Sequence, residues 1–450
     1  MATALIILAA GQGTRMRSDL PKVLHEIAGA PLLAHAMRAA AALEPERLVV
    51  VAGHDAAKVE AAARDWDDRA SIVIQPEQQG TAHAVAQART ALEGFAGDVI
   101  VLYGDTPLIR PETLDRMIEA RKTADIVVLG FHAADPGRYG RLVTEGDRLE
   151  RIVEFKDATE AERAIDLCNA GVVAADAETL FSLVEEVDND NASGEYYLTD
   201  IVGLARTRGL TARHVECDEA ETLGINSRAE LAAAEAAFQA RARAELLELG
   251  VTMTAPDTVF LSHDTVIGRD AVIEPNVVFG PGVTVETGAT IRAFSHLEGC
   301  HVGRGSVVGP YARLRPGAEL AEDVRIGNFV EVKNALIGEG AKANHLTYLG
   351  DAEVGAGANI GAGTVTCNYD GVMKHRTVIG AGAFIGSDTM LVAPVTVGAG
   401  ALTGSGSVIT RDVPADALAI SRPAQVNREG MVRKMMDMLR ARKARGGTGG

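Results

Sequence analysis

The sequence predicts an α/β domain with a mostly parallel sheet, followed by a parallel β-helix. Two observations carry this. In the first half, continuous apolar runs alternate with helical patterns, as in strands buried on both faces with helices between them. In the second half, apolar residues recur every six positions, a period that fits neither an amphipathic helix nor a hairpin meander. A third observation points to chemistry. The first strand runs into Gly-x-Gly in "LIILAAGQGTRM", residues 5–16, which suggests a nucleotide.

The chain of 450 residues has room for two or three domains. Its net charge of −17 argues against a general nucleic-acid binder. No apolar run is long enough to span a bilayer. The opening MATALIILAA has no basic stretch before it and reads as a buried strand, not a signal peptide. Cys168, Cys217, Cys300 and Cys367 have no metal-type spacing, so reduced thiols in a cytoplasmic protein are expected. The 11 histidines form no H-x-x-x-H cluster, which argues against zinc.

Taken in order, the predicted strands are LIILAA, RLVVVAG, SIVIQ, DVIVLYGD and DIVVLGF. A break follows "TLGIN". Ser227 with Glu230 three residues later is a capping-box signature, and the Ala/Glu/Arg-rich stretch to Leu249, closed by Gly250, reads as one connecting helix. Predicted boundaries are therefore 1–226 for the first domain, 227–250 for the helical linker and 251–450 for the β-helix with a C-terminal helical tail. The six-residue series runs Ile267, Ile273, Phe279, Val285, Ile291, then Val302, Val308, Leu314, Leu320, Ile326, Val332, and later Ile379, Ile385, Leu391, Val397. Each hexapeptide is one short strand and one corner, and stacked coils bury a core that one coil could not. The repeat slips near Gly299, Ala335 and Leu349 and is interrupted by "TCNYDGVMKHRT", 366–377, where an insertion should protrude as a loop. Residues 427–445 read as a basic helix, and the glycine-rich end as disordered.

The glycine turn is neither a dinucleotide fingerprint, since Met16 stands where the third glycine is needed, nor a P-loop, since Gly-Lys-Ser/Thr is absent. Arg15 and Lys22 follow it, so backbone N–H groups and two cations could cradle a triphosphate. Asp105 ends an apolar strand, at the edge where open α/β sheets bind ligands. A lone Asp there could equally cap the next helix. A Mg²⁺–phosphate site needs only one or two protein oxygens, and Asn226 could supply a second. In the β-helix, His345 falls at a slip and need not face the interior, so it could serve as a general base for an amine. Arg315 and Lys333 lie 18 residues apart. With three hexapeptides per coil, they stack on one face and could grip a phosphate.

The motifs "LAAGQGTRM…PKVL", "QGTAHA", "LYGDTPL", "GRYGR", "IVEFKD", "NAG" and "GIN" occur in the order of the sugar-1-phosphate nucleotidylyltransferases. Joined to hexapeptide repeats, the chain resembles, over almost its full length, the bacterial bifunctional N-acetylglucosamine-1-phosphate uridylyltransferases/glucosamine-1-phosphate N-acetyltransferases. The resemblance implies a Rossmann-like nucleotidyltransferase domain and a left-handed β-helix. It implies acetyl transfer from acetyl-CoA to glucosamine 1-phosphate, then UMP transfer from UTP, giving UDP-N-acetylglucosamine for peptidoglycan and lipopolysaccharide. Mg²⁺ on Asp105 and Asn226, small-molecule substrates, no nucleic acid or membrane partner, and a homotrimer follow from it as well. By the same resemblance Leu8, Ala9, Ala10, Gly11, Lys22, Gln75, Gly80 and Thr81 line the uridine and phosphate pocket. Tyr103, Gly104, Asp105, Gly140, Glu154, Asn169 and Asn226 hold the sugar nucleotide, and Arg15 and Lys22 stabilise the developing charge. Arg315, Lys333, Tyr348 and Asn359 bind glucosamine 1-phosphate, with His345 as base. Ala362, Asn368, Tyr369, Ser387, Ser405 and Arg422 contact acetyl-CoA. Gln12 stands where family members often carry Lys. Two other readings of the β-helix remain open on the residues: a module for oligomerisation or regulation, and a scaffold without chemistry. His345, Asn368-Tyr369 and the Arg315/Lys333 pair argue against the first, and a scaffold would need neither a polar insertion nor stacked cations.

Overall fold

The strand Thr3–Ala9 is buried at every position because it lies in the middle of its sheet. It pairs in parallel with Arg47–Ala52 on one side and Asp98–Tyr103 on the other. This is a computed structural model, and it describes residues 2–445; the glycine-rich end expected to be disordered lies outside the described residues. The main sheet runs Ala212–Glu216, Ile126–His132, Leu167–Asp176, Asp98–Tyr103, Thr3–Ala9, Arg47–Ala52, Ser71–Ile74. All five predicted strands are in it. Along this path Leu167–Asp176 breaks the parallel pattern, running antiparallel to both neighbours, and the antiparallel pair Arg141–Glu145 and Arg148–Val153 branches from it. Alternate residues of the central strand face opposite ways. Ile6 and Leu8 enter one apolar layer with Val49 and Val101, and Leu5 and Ile7 enter the other with Val50 and Leu102.

The connecting helix spans Arg228–Glu248. Ser227 Oγ accepts from Glu230 N at 3.3 Å. The reciprocal bond of the expected box moves one residue back, so Glu230 Oε2 accepts from Asn226 N at 2.7 Å. This bond fixes the backbone of Asn226. The helix packs Ala234 and Phe238 against Ile27, Leu32, Leu108 and Ile225.

The chain divides into two compact units. Met1–Gly250, Ala255–Thr265 and Val278–Gly282 form the first; Val251–Thr254, Val266–Val277 and Val283–Gly450 form the second. In the second, short strands stack in parallel ladders. One ladder pairs Val272 with Thr290, Thr290 with Val307, Val307 with Arg325, Arg325 with Lys342 and Lys342 with Asn359. One coil therefore takes 17 or 18 residues, and the slips in the repeat are coils with one five-residue side. The step from Asn359 to Phe384 takes 25 residues, and the insertion accounts for the excess. Every residue of the predicted six-residue series is buried, as aliphatic side chains pointing into a coil interior must be. The tail forms the helix Met431–Arg445, with no buried residue. Among the described residues no helix is long and apolar enough to cross a membrane.

Candidate active sites

The first site lies at the C-terminal ends of the central strands, where parallel strands leave a crevice. Gly104 N donates to Leu8 O at 2.9 Å, joining two adjacent strand ends. A cavity of about 330 Å³ opens there. It is lined by Leu8, Ala9, Ala10, Gly11, Lys22, Gln75, Gly80, Thr81, Tyr103 and Asp105, with Gln78 and Glu195 added. The turn reaches this geometry through Gly13. At φ +63°, a Cβ there would stand 2.6 Å from Lys22 Cβ, so only glycine lets the loop close on the lysine. Lys22 Nζ forms an ion pair with Asp105 Oδ2 and donates to Asn226 Oδ1 at 3.0 Å. Residues 83 and 204 positions away in sequence thus meet at one ammonium.

On the opposite wall, Gln75 Nε2 lies 3.1 Å from both Gly80 O and His83 Nδ1. Its amide oxygen is the group left for a ligand. Gly80 sits at φ +118°, and a Cβ there would stand 2.5 Å from Tyr196 O. Thr81 Oγ1 accepts from Leu198 N at 2.9 Å. Burial pushes the Tyr103 hydroxyl pKa up. A Cβ on Gly171 would stand 2.7 Å from the Tyr103 ring, and Gly171 N donates to Asn169 Oδ1 at 2.9 Å. Asn169 N in turn donates to Gly140 O at 2.9 Å. A Cβ on Gly140 would be 3.3 Å from Glu154 Oε1. Burial raises the Glu154 pKa, against a hydrogen bond from Thr199. Gly140, Glu154 and Asn169 are therefore together, on the Tyr103 side. Arg15 is not among the residues lining the cavity; it is exposed on the turn Thr14–Met16.

The second site lies on the β-helix. Arg313 pairs with Glu331 and Leu314 with Val332, so Arg315 and Lys333 occupy the same row of adjacent coils, as their spacing predicts. Arg315 Nη1 bonds Glu331 Oε1 at 2.9 Å, and Tyr348 pairs with Glu331 from the next coil. A third cation joins them. Lys374, from the insertion, lies close enough to lower the pKa of Lys333, with Arg315 adding to the effect. Burial pushes the Asp351 pKa up. Hydrogen bonds from Asn334 and Asn368, with Lys374 and Lys333 nearby, outweigh it and hold the carboxyl below its usual range. Asn368 thus reaches the cation cluster, while Tyr369 is exposed and donates to Gly371 O at 2.6 Å.

His345 ends the strand Lys342–His345, in register with Asn328. Its Nδ1 is 2.8 Å from Asn328 Oδ1. An amide oxygen only accepts, so Nδ1 carries the proton and Nε2 is left as the acceptor. The same ladder continues through Asn359 and Phe384 to Leu402. Three residues beyond each of Lys342, Asn359, Phe384 and Leu402 stand His345, Ala362, Ser387 and Ser405, so these four fall in one column. Asp388 N on Ala362 O at 2.7 Å and Gly406 N on Ser387 O at 2.8 Å hold it. Arg422 donates to Ser405 O at its far end. The histidine heads the column of small residues.

The hexapeptide family of bacterial transferases matches residues 264–299 and 376–411, and the MobA-like NTP transferase domain matches residues 5–171. The Bifunctional protein GlmU of Ruegeria pomeroyi is 72% identical over 444 residues, covering 99% of each chain. That of Ruegeria sp. (strain TM1040) is 70% identical over 444 residues, again 99% of each, and that of Dinoroseobacter shibae is 65% identical over 449 residues and 100% of each. The chain belongs to the GlmU family. As a GlmU enzyme it is a uridylyltransferase and an acetyltransferase of UDP-N-acetylglucosamine synthesis, in cell-wall biosynthesis.

A nucleotide-transferring GlmU enzyme is consistent with a divalent metal. Among the described residues no group of three or more His, Cys, Asp and Glu could hold one. The donors present are instead one carboxylate and one amide oxygen, and both already converge on a single cation, the Lys22 ammonium. That set fits a hard ion which takes its remaining oxygens from phosphate and water. Four residues that the structure places beside the predicted ones escaped sequence reasoning. Gln78, whose Nε2 bonds Ala10 O at 2.6 Å, and Glu195 come from outside the recognised motifs. Lys374 sits in the insertion, where the six-residue register that would place it is lost. Asn328 is 17 residues before His345, so coil spacing alone could have found it.

Proposed function

We propose that residues 1–226 transfer UMP from UTP to N-acetylglucosamine 1-phosphate, and that 251–450 acetylate glucosamine 1-phosphate with acetyl-CoA, with 227–250 as the connector. The observation that carries the first half is the meeting of Asp105 and Asn226 at Lys22, which with Asp105 lines the strand-end cavity. Leu8 to Gly11, Gly80 and Thr81 surround the nucleotide. The Gln75 oxygen accepts from the imide N–H of uracil, a donor that cytosine lacks. Gly140, Glu154 and Asn169 hold the sugar, with Tyr103 and Gly104 beside them. A phosphate oxygen of the sugar attacks the α-phosphorus, and pyrophosphate leaves. No protein nucleophile is needed, so the protein positions the reactants and offsets charge. Lys22 does this at the cavity wall, and Arg15 from the exposed turn beside it. Mg²⁺ held by Asp105 and Asn226 would neutralise phosphate charge.

In the second half, Arg315 and Lys333 grip the phosphate of the amino sugar, with Lys374 as a third cation. Tyr348 and Asn359 orient the sugar. His345 Nε2 takes the proton from the attacking amine. The nitrogen attacks the thioester carbonyl, and the CoA thiolate leaves. Ala362, Ser387 and Ser405 give pantetheine a path lined only by small side chains. Asn368 and Tyr369 flank it, and Arg422 faces the CoA phosphates. A homotrimer with sites completed by neighbouring subunits, and a cytoplasmic location, accord with the hexapeptide repeats and the free cysteines. CoA thiol and pyrophosphate release, followed with each substrate added separately, tests this. Free thiol should require only glucosamine 1-phosphate and acetyl-CoA. Pyrophosphate should require only UTP, Mg²⁺ and the acetylated sugar phosphate. Absence of thiol release would leave the β-helix without chemistry.

A further inference from the structure

The loop that carries Gly140 ends on an arginine that is 2% exposed. Arg141 begins the strand Arg141–Glu145 and pairs with Cys168. Among the described residues its guanidinium has no carboxylate partner. It donates to Tyr139 O, to Gly137 O at 3.1 Å and to Arg163 O at 3.4 Å. Its Nε has no hydrogen bond, and the Phe155 ring lies 6.0 Å from the guanidinium carbon. A buried charge is costly unless polar groups surround it. Among the described residues its hydrogen-bonding partners are all backbone carbonyls, and those come from two segments. Gly137 and Tyr139 belong to the loop that ends in Gly140. Arg163 closes the short helix Glu160–Arg163, which follows Glu154 and Phe155.

We propose that Arg141 is a positioning residue for the sugar-phosphate subsite. Its planar fork gathers the carbonyls of both segments and so fixes the spacing of Gly140, Glu154 and Asn169, which make one wall of that subsite. A lysine carries the same charge but directs its donors from a single point and cannot span three carbonyls in this way. This rests on reading Gly140, Glu154 and Asn169 as the sugar side of the uridylyl site, so the test separates the two claims.

The full-length enzyme is assayed as wild type, Arg141→Lys and Asn169→Ala, with the sugar phosphate and UTP varied in turn. Acetyl transfer and the thermal midpoint report on folding. For Arg141→Lys the KM for N-acetylglucosamine 1-phosphate should rise about tenfold or more, with the KM for UTP and acetyl transfer held within about twofold. An unchanged sugar-phosphate KM in Arg141→Lys, while Asn169→Ala raises it, overturns the proposal. Equal rises in both KM values also overturn it, because they mark a general structural role. An unchanged sugar-phosphate KM in Asn169→Ala overturns the reading of the subsite instead. Should Arg141→Lys fail to fold, Arg141→Ala is assayed with added guanidinium. Selective recovery of the sugar-phosphate KM supports the proposal, and a midpoint restored without that recovery overturns it.

Discussion

Gly80 shows how much of the strand-end cavity hangs on single atoms. Its φ of +118° and the 2.5 Å approach of Tyr196 O leave no room for a methyl group. Gly80→Ala should lower uridylyl kcat/KM by about 100-fold, by displacing Thr81 and Gln75, and leave acetyl transfer unchanged; pyrophosphate and thiol assays on one preparation check both. On the β-helix, Lys374→Ala removes one of three crowded cations. A charged hydrogen bond contributes about 2 kcal/mol, so the KM for glucosamine 1-phosphate should rise about 30-fold, which steady-state acetyl transfer measures. His35 reports on pH. Burial pushes its pKa down to about 4, against a backbone bond to Ile27 and with His263, Arg38 and Arg241 adding to the fall. Between pH 6.5 and 4 the unfolded chain takes up a proton that the fold refuses, so stability falls with pH by up to roughly 3 kcal/mol. Asp200, pushed up to about 6 by burial beside Asp188 and Asp157, has the opposite sign in this window and gains stability as pH falls. The comparison with His35→Gln isolates the histidine, since Gln can still donate to Ile27 O. Its urea midpoint should drop less than that of wild type from pH 7 to 4.5.

At the scale of elements, the two kinds of periodicity were unequally legible. The six-residue series specified the β-helix because every coil repeats the same buried position, and Leu314, Ile385 and Val397 are all at 0% exposure. Leu314→Ala should cost about 2–5 kcal/mol, read as a lower unfolding midpoint of the second unit. The five leading strands were legible from their continuous apolar runs. The antiparallel direction of Leu167–Asp176 was not, because direction depends on which partners a strand finds, and those partners lie 35 or more positions away. The slips in the repeat were visible, yet their meaning as five-residue sides needed the coil. The insertion was visible too, but inside it no register remains, which hid Lys374. Asp105 and Asn226 could be paired before the fold was known only through resemblance, since no spacing rule links residues so far apart.

At the scale of the molecule, two chemistries belong to two compact units: the first sets a single lysine, Lys22, in its strand-end cavity, and the second brings Arg315, Lys333 and Lys374 together on its coils. We expect these chemistries to be separable along the chain, with Asp105 serving one and His345 the other. The most direct measurement is thiol and pyrophosphate release by Asp105→Ala and His345→Ala, each supplied with glucosamine 1-phosphate and acetyl-CoA, or with UTP and N-acetylglucosamine 1-phosphate. Asp105→Ala should release thiol at the wild-type rate and almost no pyrophosphate, and His345→Ala should do the reverse. Normal pyrophosphate release by Asp105→Ala, or normal thiol release by His345→Ala, would contradict the account.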